Sequence, residues 1–209
     1  EVKAAARSRD SSLLLALALA LAGDPGTRER QLALLERQLG TARTAICQRL
    51  HSDVDAAGPE LRLPILELAL PALKERPREQ LDYLFDLLDR LAELDTAPRL
   101  FDFVLLHVLT AYLRGAGARR PARSAIGKTP DARTAVQTLL ATVAAFGNAD
   151  SAAARAAYAA GVEALGAPQP SNTPPAFAPL EQERNVAHLD GALDVLARLR
   201  PEHKKRLLH

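Results

Sequence analysis

The chain has 209 residues, of which 48% are hydrophobic, 25% charged and 4% aromatic, and 27 Lys and Arg against 25 Asp and Glu leave a net charge of +2. That balance excludes a polyanion-binding surface over most of the molecule, and the single Cys47 excludes an internal disulfide framework. With 14 Pro and 11 Gly scattered between apolar blocks, neither a collagen-like nor a wholly disordered chain fits. Ala and Leu supply roughly four residues in ten, a helix-forming composition, and the length allows one domain or two small ones. A chain that opens on Glu1 and contains no Met reads as a piece of something longer.

The first apolar block is SSLLLALALALAGDP, Ser11 to Pro25, with an uninterrupted core from Leu13 to Ala22. At about 1.5 Å per residue this covers roughly half of a bilayer's hydrocarbon core, too short for a membrane span. Lys3, Arg7 and Arg9 before it resemble a signal peptide's charged region, but Gly23-Asp24-Pro25 is a turn rather than a cleavage site, and the run is expected to be a buried core helix capped by Ser11 or Ser12. Thr27 is expected to cap the next helix, with Leu32, Leu35 and Leu39 at helical spacing and Gly40 as its stop. Another helix is expected over Thr41 to about Val54, with Ala45, Leu50 and Val54 inward, before Gly58-Pro59 breaks the chain. RLPILELALPAL, Arg62 to Leu73, is apolar on nearly every face except at Glu67; Pro64 suits a first turn, and Pro71 is expected to kink or end the helix.

Pro77 opens the most amphipathic element, with Leu81, Leu84, Phe85, Leu88 and Leu91 on one face and Asp82, Asp86, Asp89 and Glu93 on the other. A turn over Asp95 to Pro98 leads to a helix from about Arg99 to Leu113 carrying Phe101, Leu105, Val108, Leu109 and Tyr112. RGAGARRPARSAIGKTP, Arg114 to Pro130, reads as a basic loop without apolar period. Helices over Asp131 to Phe146 and Ser151 to Leu165 follow, then a Pro-rich loop over 166–179, a helix within Leu180 to Leu199, and a last one opened by Pro201 that stops without a cap. The expected fold is all-α, a multi-helix bundle or irregular array of roughly eight to ten helices. The expected organisation is a helical part over 1–113, the basic loop 114–130 and a second helical part over 131–209, or one continuous domain.

Sites for chemistry are sparse. The five His are His51, His107, His188, His203 and His209, and no HExxH occurs. Cys47 and His51 share a helix face, but two ligands do not make a zinc site, and a buried thiol beside a surface His is the expected arrangement. His107 lies among apolar neighbours and is expected to be a core or partly exposed residue. No GxSxG marks a nucleophile, and AIGKTP, Ala125 to Pro130, has Ala122 where a P-loop needs its first glycine. The acidic stripe Asp82, Asp86, Asp89 and Glu93 lacks the Glu-x-x-His partners of a di-metal bundle and reads as a solvated face. Arg114, Arg119, Arg120, Arg123 and Lys128 could meet anionic lipid headgroups; without interleaved aromatics they do not read as a nucleic-acid site. No catalytic, cofactor-binding or metal-ligating residue is assigned in this chain.

Four segments together, RERQLALLERQLG (Arg28 to Gly40), RLPILELALPAL (Arg62 to Leu73), LAELDTAPRLFDFVLLHVL (Leu91 to Leu109) and LDGALDVLARLRPEHKKRLL (Leu189 to Leu208), resemble the C-terminal region of proteobacterial M48-family membrane zinc metallopeptidases. The resemblance implies that the zinc ligands and general base belong to a catalytic part outside this chain, anchored in the bacterial inner membrane, with this region in the cytoplasm. The middle segment is also similar to a divergent TerB-like helix turn, in which Glu93, Asp95 and Asp102 match the acidic positions while Thr96 replaces the usual Gly. The function so implied is that of a non-catalytic helical domain that regulates the peptidase or binds its substrate or a protein partner. The alternative is a free-standing helical adaptor that binds peptides or partner helices in a groove lined by Leu and Phe.

Overall fold

A computed structural model describes residues 2–95, 99–115, 132–148, 150–165 and 182–208 of the chain. Among these residues the protein is all-α, with eleven helices, one 3-10 turn and no strand. The count exceeds the expected eight to ten because Val2–Arg7 forms a helix of its own, α1. Ser8 leaves the helical conformation (φ −85°, ψ 127°) and separates it from α2, Arg9–Ala20. The chain divides into two compact units, Glu1–Arg120 and Pro121–His209. Except for Arg114 and Gly115, the basic loop lies outside the described residues, as do the Pro-rich stretch 166–179 and Thr96.

In the first unit, α2 is the axis. Leu15, Leu17, Leu19 and Leu21 are all completely buried, although alternate residues on a helix point about 200° apart. Such burial needs neighbours on every side, and α1, α4, α5 and α6 supply them. At about 2 kcal/mol for each leucine taken out of water, this helix is a large apolar contribution to the unit. Because α2 ends inside protein, its last carbonyls cannot turn to water.

The surrounding helices start where local chemistry permits. Asp24 caps α3, Pro25–Leu39: its carboxylate accepts the Thr27 N–H at 2.8 Å, with Pro25 in the first turn. Thr27 is therefore not the cap expected from the sequence; it sits inside the first turn and is buried. Gly40 (φ 82°, ψ 161°) ends α3 and starts α4, Thr41–Ala57, and Gly58 (φ 97°, ψ 154°) starts the 3-10 turn Pro59–Leu61. Both glycines occupy backbone conformations essentially closed to other residues.

The turn runs into α5, Arg62–Lys74, which continues through Pro71 rather than ending there. Pro71 lies on the exposed side, and so does Glu67, whose carbonyl loses the proline's missing N–H; water can meet that carbonyl, so the helix survives. Helix α6, Arg78–Glu93, buries Leu81, Leu84, Phe85, Leu87, Leu88 and Leu91 as its period requires. Helix α7, Leu100–Leu113, buries Leu105, Leu106 and Leu109 and packs on α5 and α6.

The second unit contains α8 (Ala132–Gly147), α9 (Ser151–Ala164), α10 (Gln182–Leu196) and α11 (Pro201–Leu208). Its core is thin: Ala135, Ala192 and Leu196 are surrounded by half-buried Val136, Leu139, Leu193, Val195, Leu199 and Leu207. Asp150 caps α9 by accepting the N–H groups of Ala152 and Ala153, both at 2.8 Å. Gly161 lets α9 approach α8 closely, since a Cβ there would stand 3.0 Å from Leu140 Cδ2.

Candidate functional site

The densest set of polar groups in the first unit surrounds the C-terminal end of α2. Arg99, just before α7, donates from Nη2 to the Ala20 carbonyl at 2.9 Å and from Nη1 to the Leu21 carbonyl at 3.1 Å. Arg28 of α3 donates to the carbonyls of Ala22 at 3.2 Å and Gly23 at 2.9 Å. Fully buried Gln31 accepts the Ala22 N–H at 2.7 Å and donates at 3.0 Å to the Leu91 carbonyl, tying α2 to the end of α6. Two guanidinium groups at the negative end of a helix dipole are electrostatically favourable as well as hydrogen-bonded.

Cys47 and His51, one turn apart on α4, face α2 in matching register. Cys47 Sγ donates to the Leu14 carbonyl at 3.6 Å and His51 Nδ1 to the Ala18 carbonyl at 3.1 Å. Both side chains are buried, so His51 is not the surface residue expected. Burial pushes the Cys47 thiol up to about 12 and makes it a poor nucleophile. Burial also holds the His51 imidazole below its ordinary value, although the Ala18 carbonyl and Asp55 favour its cation. Nε2 lies 3.2 Å from Asp55 Oδ2 without an aligned hydrogen bond, and Asp55 Oδ1 in turn meets Arg62 Nη2 of α5 at 3.1 Å.

The acidic positions of the TerB-like turn separate in the fold. Glu93 is exposed at the end of α6, whereas Asp95 and Asp102 converge on Arg99 Nε, at 3.0 and 2.9 Å. The Nε–H donates to Asp102 Oδ2, and Asp102 Oδ1 is buried without a hydrogen-bond partner. Burial therefore pushes the Asp102 carboxyl up to about 6, with Arg99 opposing the rise and Asp95 adding to it. This pair holds an arginine over the end of α2, and among the described residues no three His, Cys, Asp or Glu side chains gather as metal ligands.

The other charged candidates lie on the surface. Asp82 pairs with Arg114 at 2.8 Å and Asp86 with Arg90 at 3.6 Å. Arg114 also lies 4.0 Å above the centre of the Phe85 ring, so this first residue of the basic loop clamps α7 to α6. His107 is exposed and stacks on Phe103 at 5.8 Å between ring centroids. The rest of the basic loop and the Gly-Lys-Thr of Ala125 to Pro130 lie outside the described residues.

The outer side of α5 is the feature that composition and spacing did not single out. Leu61, Leu63 and Leu68 remain 45%, 37% and 44% exposed, beside exposed Pro64 and Pro71. The signal was present as a repeat: Glu60 to Pro64 reads ELRLP and Glu67 to Pro71 reads ELALP, in register after seven residues. Two helical turns separate the copies, so Glu60, Leu61 and Pro64 are repeated on the same face by Glu67, Leu68 and Pro71. The variable central positions, Arg62 and Ala69, turn inward, Arg62 against Asp55 and the Phe101 ring at 5.2 Å.

In comparison with known proteins, the chain matches no family model, no curated protein and no solved structure. No helix among the described residues is long and apolar enough to cross a membrane.

Proposed function

We propose that this chain is a non-catalytic helical domain that binds a protein partner, and that it is the cytoplasmic region appended to a membrane-bound M48-type zinc metallopeptidase, where it regulates the enzyme or recruits its substrate. The observation that supports binding is the division of labour in the first unit. Its buried chemical groups, Cys47, His51, Asp95, Arg99 and Asp102, are engaged with α2 or with one another, while apolar Leu61, Leu63 and Leu68 stand in solvent on α5 and the 3-10 turn that leads into it. The attachment to a peptidase rests on the four resembling segments alone.

The test is metal analysis and a protease assay on the purified chain. No stoichiometric zinc and no cleavage are expected; one tightly held zinc per chain with proteolysis would overturn the proposal. The coding sequence upstream of Glu1 separates the two binding readings. An HExxH with membrane spans supports the peptidase domain, and a different upstream sequence supports the free-standing adaptor, for which the exposed face of α5 is equally suited.

A further inference from the structure

The repeated ELxLP face, which runs from the 3-10 turn into α5, presents an unusual combination. Leu61 and Leu68 form an apolar ridge two turns long, and Glu60 and Glu67 lie along it, exposed and without an ion pair among the described residues. Asp55 has Arg62, Asp82 has Arg114, and Asp95 and Asp102 share Arg99, whereas no arginine pairs with Glu60 or Glu67 among the described residues. Pro71 has no N–H to give to the Glu67 carbonyl four residues earlier, which is left to water on the same side. Each copy of the repeat therefore places a carboxylate beside an exposed leucine, and the copies are about 10 Å apart along the axis. No described helix of the unit covers this side; α1, α2 and α7 pack on the others.

We propose that the outer face of α5 is a docking site for an amphipathic helix of a partner protein, one that carries Leu-type residues along its seam and Lys or Arg two turns apart beside it. This inference rests on the binding-domain reading and supplies the surface and the partner chemistry. Charge decides between occupants. A second copy docking by the same face would bring its Glu60 and Glu67 close to those of the first, a like-charge contact, since Lys74, the cation one repeat further on, lies over the Tyr112 ring at 5.2 Å. An anionic membrane surface would be repelled by the same carboxylates. A basic helix gains from both features at once, since the leucines lose water and the carboxylates gain cations at the edge of the contact.

The experiment measures fluorescence anisotropy of two synthetic amphipathic helices with identical leucine seams, one flanked by Lys and one by Glu, titrated with the full chain. The Leu/Lys probe is expected to bind at least about tenfold more tightly than the Leu/Glu probe, and its advantage to shrink from low to physiological salt, as the screening length falls from about 30 to about 8 Å. Leu68→Ser is expected to weaken binding about tenfold, and Glu60→Gln with Glu67→Gln about three- to tenfold. These side chains are exposed, so helix content and thermal unfolding serve as controls that the variants fold. Hydrogen exchange on the complex should protect α5.

Equal affinity for the two probes, indifference to these substitutions, or protection of another surface would overturn the inference. So would self-association of the chain that Leu68→Ser abolishes, or binding to phosphatidylserine vesicles that depends on Leu68. A probe bound elsewhere removes this face while leaving a binding domain intact, whereas zinc with proteolysis removes the reading beneath it.

Discussion

Asp102→Asn isolates the strain in the cluster over α2. The Asp102 side chain is 13% exposed, and burial pushes its carboxyl up to about 6. The same group titrates near about 3.9 when unfolded, so the linkage amounts to roughly 3 kcal/mol. The folded value is the higher of the two. Its stabilising contribution is therefore fully present below about pH 4 and is lost as pH rises through about 6. Asparagine keeps the position neutral at every pH while retaining an oxygen for Arg99. The stability of the variant relative to the parent chain is expected to rise by up to roughly 3 kcal/mol between about pH 4 and pH 7.5. Urea unfolding followed by helix circular dichroism across this range measures the difference, and NMR titration of the Asp102 carboxyl carbon measures the cause. His51 acts with the opposite sign, because burial lowers its value and its contribution is lost on acidification; it is present in both chains and cancels in the comparison. Parallel stability curves, or a carboxyl that titrates near about 4, would refute the reasoning.

Further expectations follow from single contacts. Arg99→Met leaves Asp95 and Asp102 buried together and strips two donors from α2, a loss of about 3–5 kcal/mol in urea unfolding that should shrink in acid as Asp102 becomes neutral. Gly58→Ala forces a side chain into φ 97° and puts a Cβ 2.5 Å from Glu60 Oε1; a cost of about 1–3 kcal/mol is expected, seen as a lower Tm, and an unchanged Tm would contradict the turn described here. Cys47 is expected to resist iodoacetamide in the folded chain and to react once urea exposes it; alkylation at the rate of a free thiol without denaturant would contradict its burial against Leu14.

Elements whose two faces differ were legible from local sequence. Helix α6 could be placed because its leucines and carboxylates alternate with the helical period, and its buried set contains every leucine so expected. Gly40 and Gly58 marked boundaries because their backbone conformations exclude side chains. The Thr27 cap was misplaced by local likeness: Asp24 and Pro25, read as turn residues, supply the cap and first turn themselves. The polar cluster was not legible. Gln31 reaches Leu91 and Arg99 reaches Ala20 and Leu21, contacts 60, 79 and 78 residues apart that no spacing rule connects.

By itself the sequence determined that this chain would be helical, where most helices would begin and end, and that most of Leu13 to Ala22 would be buried, because helix propensity, backbone restrictions and apolar runs act over a few residues. The tertiary structure decided which apolar surfaces found partners. Two runs of similar character met different fates: α2 was enclosed on every side and needed arginines to cap its end, while α5 kept Leu63 and Leu68 in water. Burial depends on how many neighbours the chain brings around a helix, and that is a property of the packed unit rather than of the segment.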